Sequence, residues 1–434
     1  MDKTIYVSSS DDLNSAILVA NSQSPTASIT IGLQSGFILT SPIPAINAQN
    51  VSVTIQSSTG QVVTLDGGNY CQGFIILNGS VTLQDILIKN MVMPARSVFT
   101  GNACMGAGAG LFVASTLNYP DSTNSYLPVV VLNNVSFSSN QALGAPADNN
   151  WASLGTNVFG GQAELGCFGV VGVLPSGPSN TGISGFGAGA GQDNGSAPGF
   201  GGDPSSGAGF GGGIFVMDNA HVTFAGSGSI TANFAVGHSQ SDGAGAGIFL
   251  QGSGTINFDI PDGETYTIAD EVTDETGAVS ADSIPVLEGT YGPDGLPTGG
   301  GTGLWILNKT GQGTLAIPNN NVHVSINVSQ GILDLSGLTS FGSWLPGSAN
   351  SLSIANGVTL AFNGYSQNEA NQIYFSDQVT IVVDEAGFTP DTPVQVMRWQ
   401  TPLGSIPTVN FPSGYTCVIG SNSITIVKKL SSEI

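Results

Sequence analysis

The chain has 434 residues, of which 62 are glycine, 40% are apolar and only 8% are charged, where about a quarter charged is usual. Its 29 acids against 7 bases leave a formal net charge of −22, which excludes a nucleic-acid partner and docking on anionic lipid, since both need clustered Lys and Arg. The chain is too apolar to be disordered and too poor in Lys, Glu, Arg and Gln to be helical, so its composition points to a long β protein with many turns.

No signal-peptide pattern opens the chain, because Asp11 and Asp12 interrupt it and Ser15–Ala20 is too short for an apolar region. No apolar run reaches the roughly 20 residues that cross a bilayer as a helix, so a soluble chain is expected. Thr4–Val7 reads as a strand and Ser8–Asn21 as a short helix. Ser8, Ser9 and Ser10 offer the N-cap, Asp11 and Asp12 fill the first turn, and Leu13, Ile17 and Leu18 make an apolar stripe. Residues 1–26 are thus expected to cap an otherwise open core and a bare sheet edge. Over 27–141 the expected strands are Ser28–Leu33, Gly36–Thr40, Val51–Gln56, Gln61–Asp66, Gly73–Gly79 and Ser80–Asn90, each bounded by Gly, Asn, Ser or Pro. With no helix between them they exclude a βαβ sheet. A sandwich, a barrel or a β-solenoid remains.

Two motifs favour the solenoid. Gly106–Val113 (GAGAGLFV) returns as Gly209–Val216 (GFGGGIFV) and Gly243–Leu250 (GAGAGIFL), each a glycine-rich turn running into an apolar strand. Leu87-Ile88-Lys89-Asn90, Phe137-Ser138-Ser139-Asn140 and Ile230-Thr231-Ala232-Asn233 each set an apolar residue three positions before an asparagine. Alternating motifs of this kind mark stacked units with insertions of varying length.

Leu65-Asp66-Gly67-Gly68 followed by GFIILNGSVTLQDILIKN resembles the pectin-lyase-like class of right-handed parallel β-helix proteins. The glycine and asparagine motifs resemble the GGA[ILV] and FxxN repeats of chlamydial-type polymorphic outer-membrane-protein passengers, with Phe137–Asn140 the literal FxxN among the three asparagine motifs. The resemblance implies a β-helical passenger displayed at a bacterial surface that binds host cells.

Residues 142–206 break the pattern and are rich in Gly, Ser, Pro and Asn, with Trp151, Phe159, Phe168 and Phe186 scattered through them. They read as a loop insertion, either a place for binding or an excursion with no role. Strands continue over 207–370. Within them lies an acidic tract, 259–294, comprising Asp259, Asp262, Glu264, Asp270, Glu271, Asp274, Glu275, Asp282, Glu288 and Asp294 with no base between. Calcium at this tract is the one cofactor weighed. The tract lacks calcium-loop spacing, which favours a solvated acidic face and an expectation of no cofactor.

Residues 303–337 resemble the passenger-associated repeat of bacterial autotransporters at Leu307, Lys309, Gly311, Gly313, Thr314, Leu315, Ile317, Val328, Gly331, Leu333 and Leu335. Lys309–Gly313 reads as a turn, with Thr314–Ile317 and Ile332–Leu335 alternating faces beyond it. Thr265–Val272 fits the preceding passenger segment in part. Residues 371–434 resemble the end of such a passenger, where Val394–Ile426 closes the solenoid. The family's C-terminal translocator barrel is missing from this sequence.

Nothing in the sequence makes a catalytic or metal constellation. His221, His238 and His323 lack paired spacing, and no GxSxG, CxxC or P-loop occurs. Cys71, Cys104, Cys167 and Cys417 have no metal-ligand spacing; Cys71 and Cys104 either pair or are buried thiols. An enzyme on this scaffold needs two close carboxylates or a base with local positive charge. Asp66 and Asp85 are the pair weighed for the first, and Arg96 and Arg398 for the second. The expected reading is therefore a single right-handed parallel β-helix over 1–434. It acts as a non-enzymatic adhesin, surface-displayed or secreted, with a host-cell protein or glycan as partner and self-association left open. A polysaccharide lyase or hydrolase and a structural spacer are the alternatives.

Overall fold

The computed structural model describes residues 2–94, 106–114, 127–144, 209–237, 243–274, 304–319, 322–336, 351–366, 368–370, 372–376, 378–400 and 407–429. Among them are one helix and 34 strands, and parallel pairing dominates. The insertion read from the sequence lies outside the described residues beyond residue 144. Two compact units form: Met1–Val222 with Ile230–Gly254 and Asp270–Gly303, and Thr223–Ser229 with Thr255–Ala269 and Leu304–Ile434.

The first unit opens on the strand Asp2–Val7 and the helix Ser10–Asn21. Ser9 is the N-cap, its hydroxyl accepting from the Asp12 amide at 3.2 Å, and Asp11 and Asp12 lie in the first turn. Leu13, Ala16, Ile17 and Ala20 are buried, but Leu18 is 58% exposed. The expected apolar stripe thus runs through Ala16 and Ala20 rather than Leu18, because positions three and four apart share a helix face.

Five strands stack in register. Asp2 faces Ser28, Ser28 faces Ser52, and Ser52 faces Ser80, which faces Val129. Alternation sends Ile29, Ile31, Val53, Ile55, Val81, Leu83, Val130 and Leu132 inward, and each fully buried aliphatic contributes about 1.5–3 kcal/mol. The segments 73–79 and 80–90, read as two strands, form one, Phe74–Lys89. It changes direction at Asp85, whose φ is 56°, and its register neighbour Asn134 does the same at 52°. That left-handed step sets two residues between the inward Leu83 and Ile86, where strict alternation would allow one.

In the second unit Leu307, Ile326, Leu352 and Ile373 make one inward row, and Tyr266, Leu315, Leu333, Leu360 and Ile381 a second. Phe224 and Phe258 stack at 4.4 Å, with Tyr266 edge-on to both. Toward the C-terminus the pairing turns antiparallel: Ser423–Lys428 lies between Val394–Trp399 and Tyr415–Ile419. The Trp399 indole donates to the Ser421 carbonyl at 2.8 Å, and the Asn422 amide donates to the Trp399 and Gln400 carbonyls at 3.1 Å.

Candidate functional site

The three glycine motifs are one structural feature. Gly106, Gly209 and Gly243 pair in a row, and Leu111, Ile214 and Ile248 pair in the next. Gly108, Gly211 and Gly245 all have φ near +60° (61°, 63° and 63°), a conformation that side chains resist. A Cβ on Gly110 would stand 2.6 Å from the Gly213 carbonyl oxygen, and one on Gly213 the same distance from that of Gly247. The glycines therefore let successive backbones touch. Behind them Phe112, Phe215 and Phe249 stack at 5.2 and 5.5 Å, worth about 0.5–1.5 kcal/mol per pair beyond their burial.

The asparagine motifs form a ladder, but not with the members expected. Phe137 pairs with Ile88 and with Ile230, so Asn140 stands level with Met91 and Asn233, not Asn90. Asn90, Ser139 and Ala232 form the preceding row, all left-handed with φ of 52°, 58° and 56°. Asn90 thus takes the turn position, where its short amide side chain tolerates positive φ. The alignment of Leu87–Asn90 with the other two copies is corrected by one residue. In the ladder proper, the Met91 amide donates to Asn140 Oδ1 at 2.9 Å, and the Asn140 amide and Nδ2 both donate to Asn233 Oδ1, at 3.0 and 2.9 Å. The Asn233 amide and Nδ2 donate to Asp270 Oδ2 at 2.9 and 2.7 Å. Asn140 and Asn233 are buried, and their satisfied amides fix the turn.

Lys309 is fully buried. It occupies the inward row continued by Val328 and Ile354. Its ammonium donates to the carbonyls of Thr310 and Gly311, both at 2.8 Å, and of Gln330 at 3.2 Å. Burial lowers its pKa to about 8, with Asp259 opposing the shift. Lys309 is therefore a cap on turn carbonyls. Leu315 and Leu333 pair across the repeat as its alternation requires.

The residues weighed for catalysis do not converge. Asp66 pairs in register with Lys89, three residues beyond Ile86, whereas Asp85 lies before Ile86 at the opposite end of that pairing. That separation along the strand is at least roughly 10 Å. Asp66 is ion-paired with Lys89 at 3.3 Å and accepts from Asn90. Burial pushes its pKa up, but the Gly68 amide, Asn90 and Lys89 outweigh this and hold it below the ordinary carboxylate value. Asp85 accepts from Asn134 Nδ2 at 2.9 Å. Arg398 and His221 are exposed, while Arg96, His238, Cys104 and Cys167 lie outside the described residues. Cys71 is a free buried thiol. Burial raises its pKa, and that of Cys417 to about 11.

The acidic tract disperses as far as it is described. Asp259 accepts from Thr310, Glu264 from Ser227, Asp270 from Asn233 and Glu271 from the Gly245 amide. Asp274 is buried. Glu275, Asp282, Glu288 and Asp294 lie outside the described residues. No group of three or more His, Cys, Asp or Glu side chains with metal-binding geometry occurs among the described residues.

One feature escaped the sequence reading. On the second unit an outward asparagine ladder runs from Asn257 through Asn308 to Asn327, each Nδ2 donating to the preceding Oδ1, at 3.4 and 3.3 Å. The row continues as Ser353 and Tyr374. There, at the ends of Ser325–Val328, Ser351–Ile354 and Gln372–Phe375, lies an open groove of about 280 Å³ lined by Asn327, Ser329, Ser353, Tyr374 and Ser376 among others. No acidic or basic side chain lines it. No family model, no curated protein and no solved structure matches the chain.

Proposed function

We propose that the chain is a right-handed parallel β-helix of the autotransporter-passenger type, displayed at a bacterial surface or secreted, that adheres to host-cell protein or glycan without turnover. The observation that carries this reading is the use to which the chain puts its polar motifs. Asn140, Asn233, Asp270, Asp66 and Lys309 are each bound into the scaffold's own turns and ladders. Such residues hold a rigid stack of parallel strands and present no nucleophile, base or paired acid. In-register pairing of consecutive strands, the glycine rows and an antiparallel C-terminal segment support the β-helical passenger part of the reading. Display and binding are functions of surfaces, and a rigid scaffold suits them.

The test places the full chain ahead of a translocator barrel in a non-adherent bacterium and counts cells retained on a mammalian monolayer. Adherence well above that of the barrel alone is expected, with the chain open to added protease on intact bacteria. Surface display without adherence contradicts the adhesive role, and retention inside the cell contradicts the passenger role.

A further inference from the structure

We infer that the groove at Asn327, Ser353 and Tyr374 is a site for a neutral saccharide; the inference rests on the ligand-binding reading above and names its ligand class and place. Tyr374 is 53% exposed at one end of a groove whose lining mixes Asn327, Ser329, Ser353 and Ser376 with the apolar Val328, Ile354, Ala355 and Phe375. Its phenol donates to Gln372 Oε1 at 2.6 Å, which fixes the ring while leaving a face open. A tyrosine held in this way offers a large contact surface at little entropic cost. The C–H face of a pyranose is the apolar surface of an otherwise polar ligand, and it packs on such a ring.

The second observation is the direction of the outward ladder. Both bonds in it run backward, Asn327 donating to Asn308 and Asn308 to Asn257. Asn327 Oδ1 therefore receives no bond from within the ladder, and Asn327 lines the groove. Ser353 stands next in the row, between Asn327 and Tyr374, and its small side chain leaves the depression between them. Acceptor, hydroxyl and aromatic face thus follow one another at the strand spacing of about 4.8 Å, on a scale suited to adjacent groups of a sugar ring. Alternating donors and acceptors without charge match sugar hydroxyls, each of which both donates and accepts.

Charge decides the class of sugar. The groove holds no base to pair with a sulfate or carboxylate, and a chain of net charge −22 repels acidic glycans. It holds no carboxylate to pair with an amino sugar either. Its volume lies near the lower end for small-ligand clefts, which fits one or two sugar units.

The experiment titrates the purified full chain, in chelator, with neutral hexose oligosaccharides and with sialylated and uronic ones, by calorimetry and by ligand-observed NMR. It includes Tyr374→Ala, Tyr374→Phe and Ser353→Trp, each checked for an unchanged unfolding midpoint, and a parallel assay of adhesion to cells. Saturable binding of a neutral oligosaccharide is expected. Tyr374→Ala is expected to weaken it by roughly tenfold or more and Ser353→Trp to abolish it, while Tyr374→Phe keeps most of it. Neutral sugar binding untouched by Tyr374→Ala and Ser353→Trp overturns the assignment, as does preference for the acidic glycans. A chain that adheres to cells but binds no neutral sugar overturns this inference and leaves the adhesive reading standing. A chain that binds neither overturns both.

Discussion

Asn233 joins two other side chains in the interior of the first unit. It accepts from the backbone and the amide of Asn140 and donates to Asp270. Asn233→Ala strands these partners in a buried turn, and unsatisfied buried groups cost about 1–3 kcal/mol each. A loss of about 3 kcal/mol, read as a lowered denaturant midpoint, is expected; a change under about 0.5 kcal/mol, the size of an ordinary surface substitution, contradicts the ladder's role. Lys309 gives a second test at this scale. Its folded pKa, about 8, lies below the ordinary 10.5, so between those values the unfolded chain holds more protons than the folded one and stability rises with pH. Below about 8 both states are protonated and the penalty of burying the charge is fully present. Relative to Lys309→Met, the wild type gains unfolding midpoint from pH 7.5 to 9.5. Parallel pH profiles for the two proteins contradict this. The pattern of the repeat singles out Lys309, but not its burial, because in sequence an inward lysine and a solvent-facing one look alike.

At the scale of elements, the glycine turns are held by close approach as well as by backbone conformation, and the two are separable. Gly213 packs against the Gly247 carbonyl, whereas Gly263 has a φ of +76° with nothing within 4 Å of a built Cβ. Gly213→Ala is expected to cost about 3 kcal/mol through crowding of backbone that has no room to move. Gly263→Ala meets only the left-handed penalty, about 1–2 kcal/mol. Equal or reversed losses in thermal unfolding contradict the stacked-turn account. These turns were legible in the sequence because one pattern recurs three times, and its copies do pair in register. The helix Ser10–Asn21 is legible from Ser9, Asp11 and Asp12, and Ser28–Leu33 from its alternation. Register was not legible. It moved Asn90 out of the ladder row, and it assembled the groove from Asn327, Ser353 and Tyr374, which share no motif and meet only because three strands pair at those positions.

At the scale of the whole molecule, the account rests on a division of labour. On the proposed reading, buried polar residues serve the scaffold and neutral surface serves recognition, on a chain whose charge of −22 keeps it dispersed and turns away anionic partners. The proposed adhesion would run through contacts that salt screens weakly, since few bases exist to pair with a ligand. The most direct measurement is equilibrium binding of the labelled, purified full chain to cultured mammalian cells, in calcium and in chelator, with polysaccharide breakdown assayed in the same preparations. The account expects saturable binding, competed by unlabelled chain and little changed by raised salt, with no release of reducing ends or unsaturated products. Absence of saturable binding, or turnover of a polysaccharide by the pure chain, contradicts it.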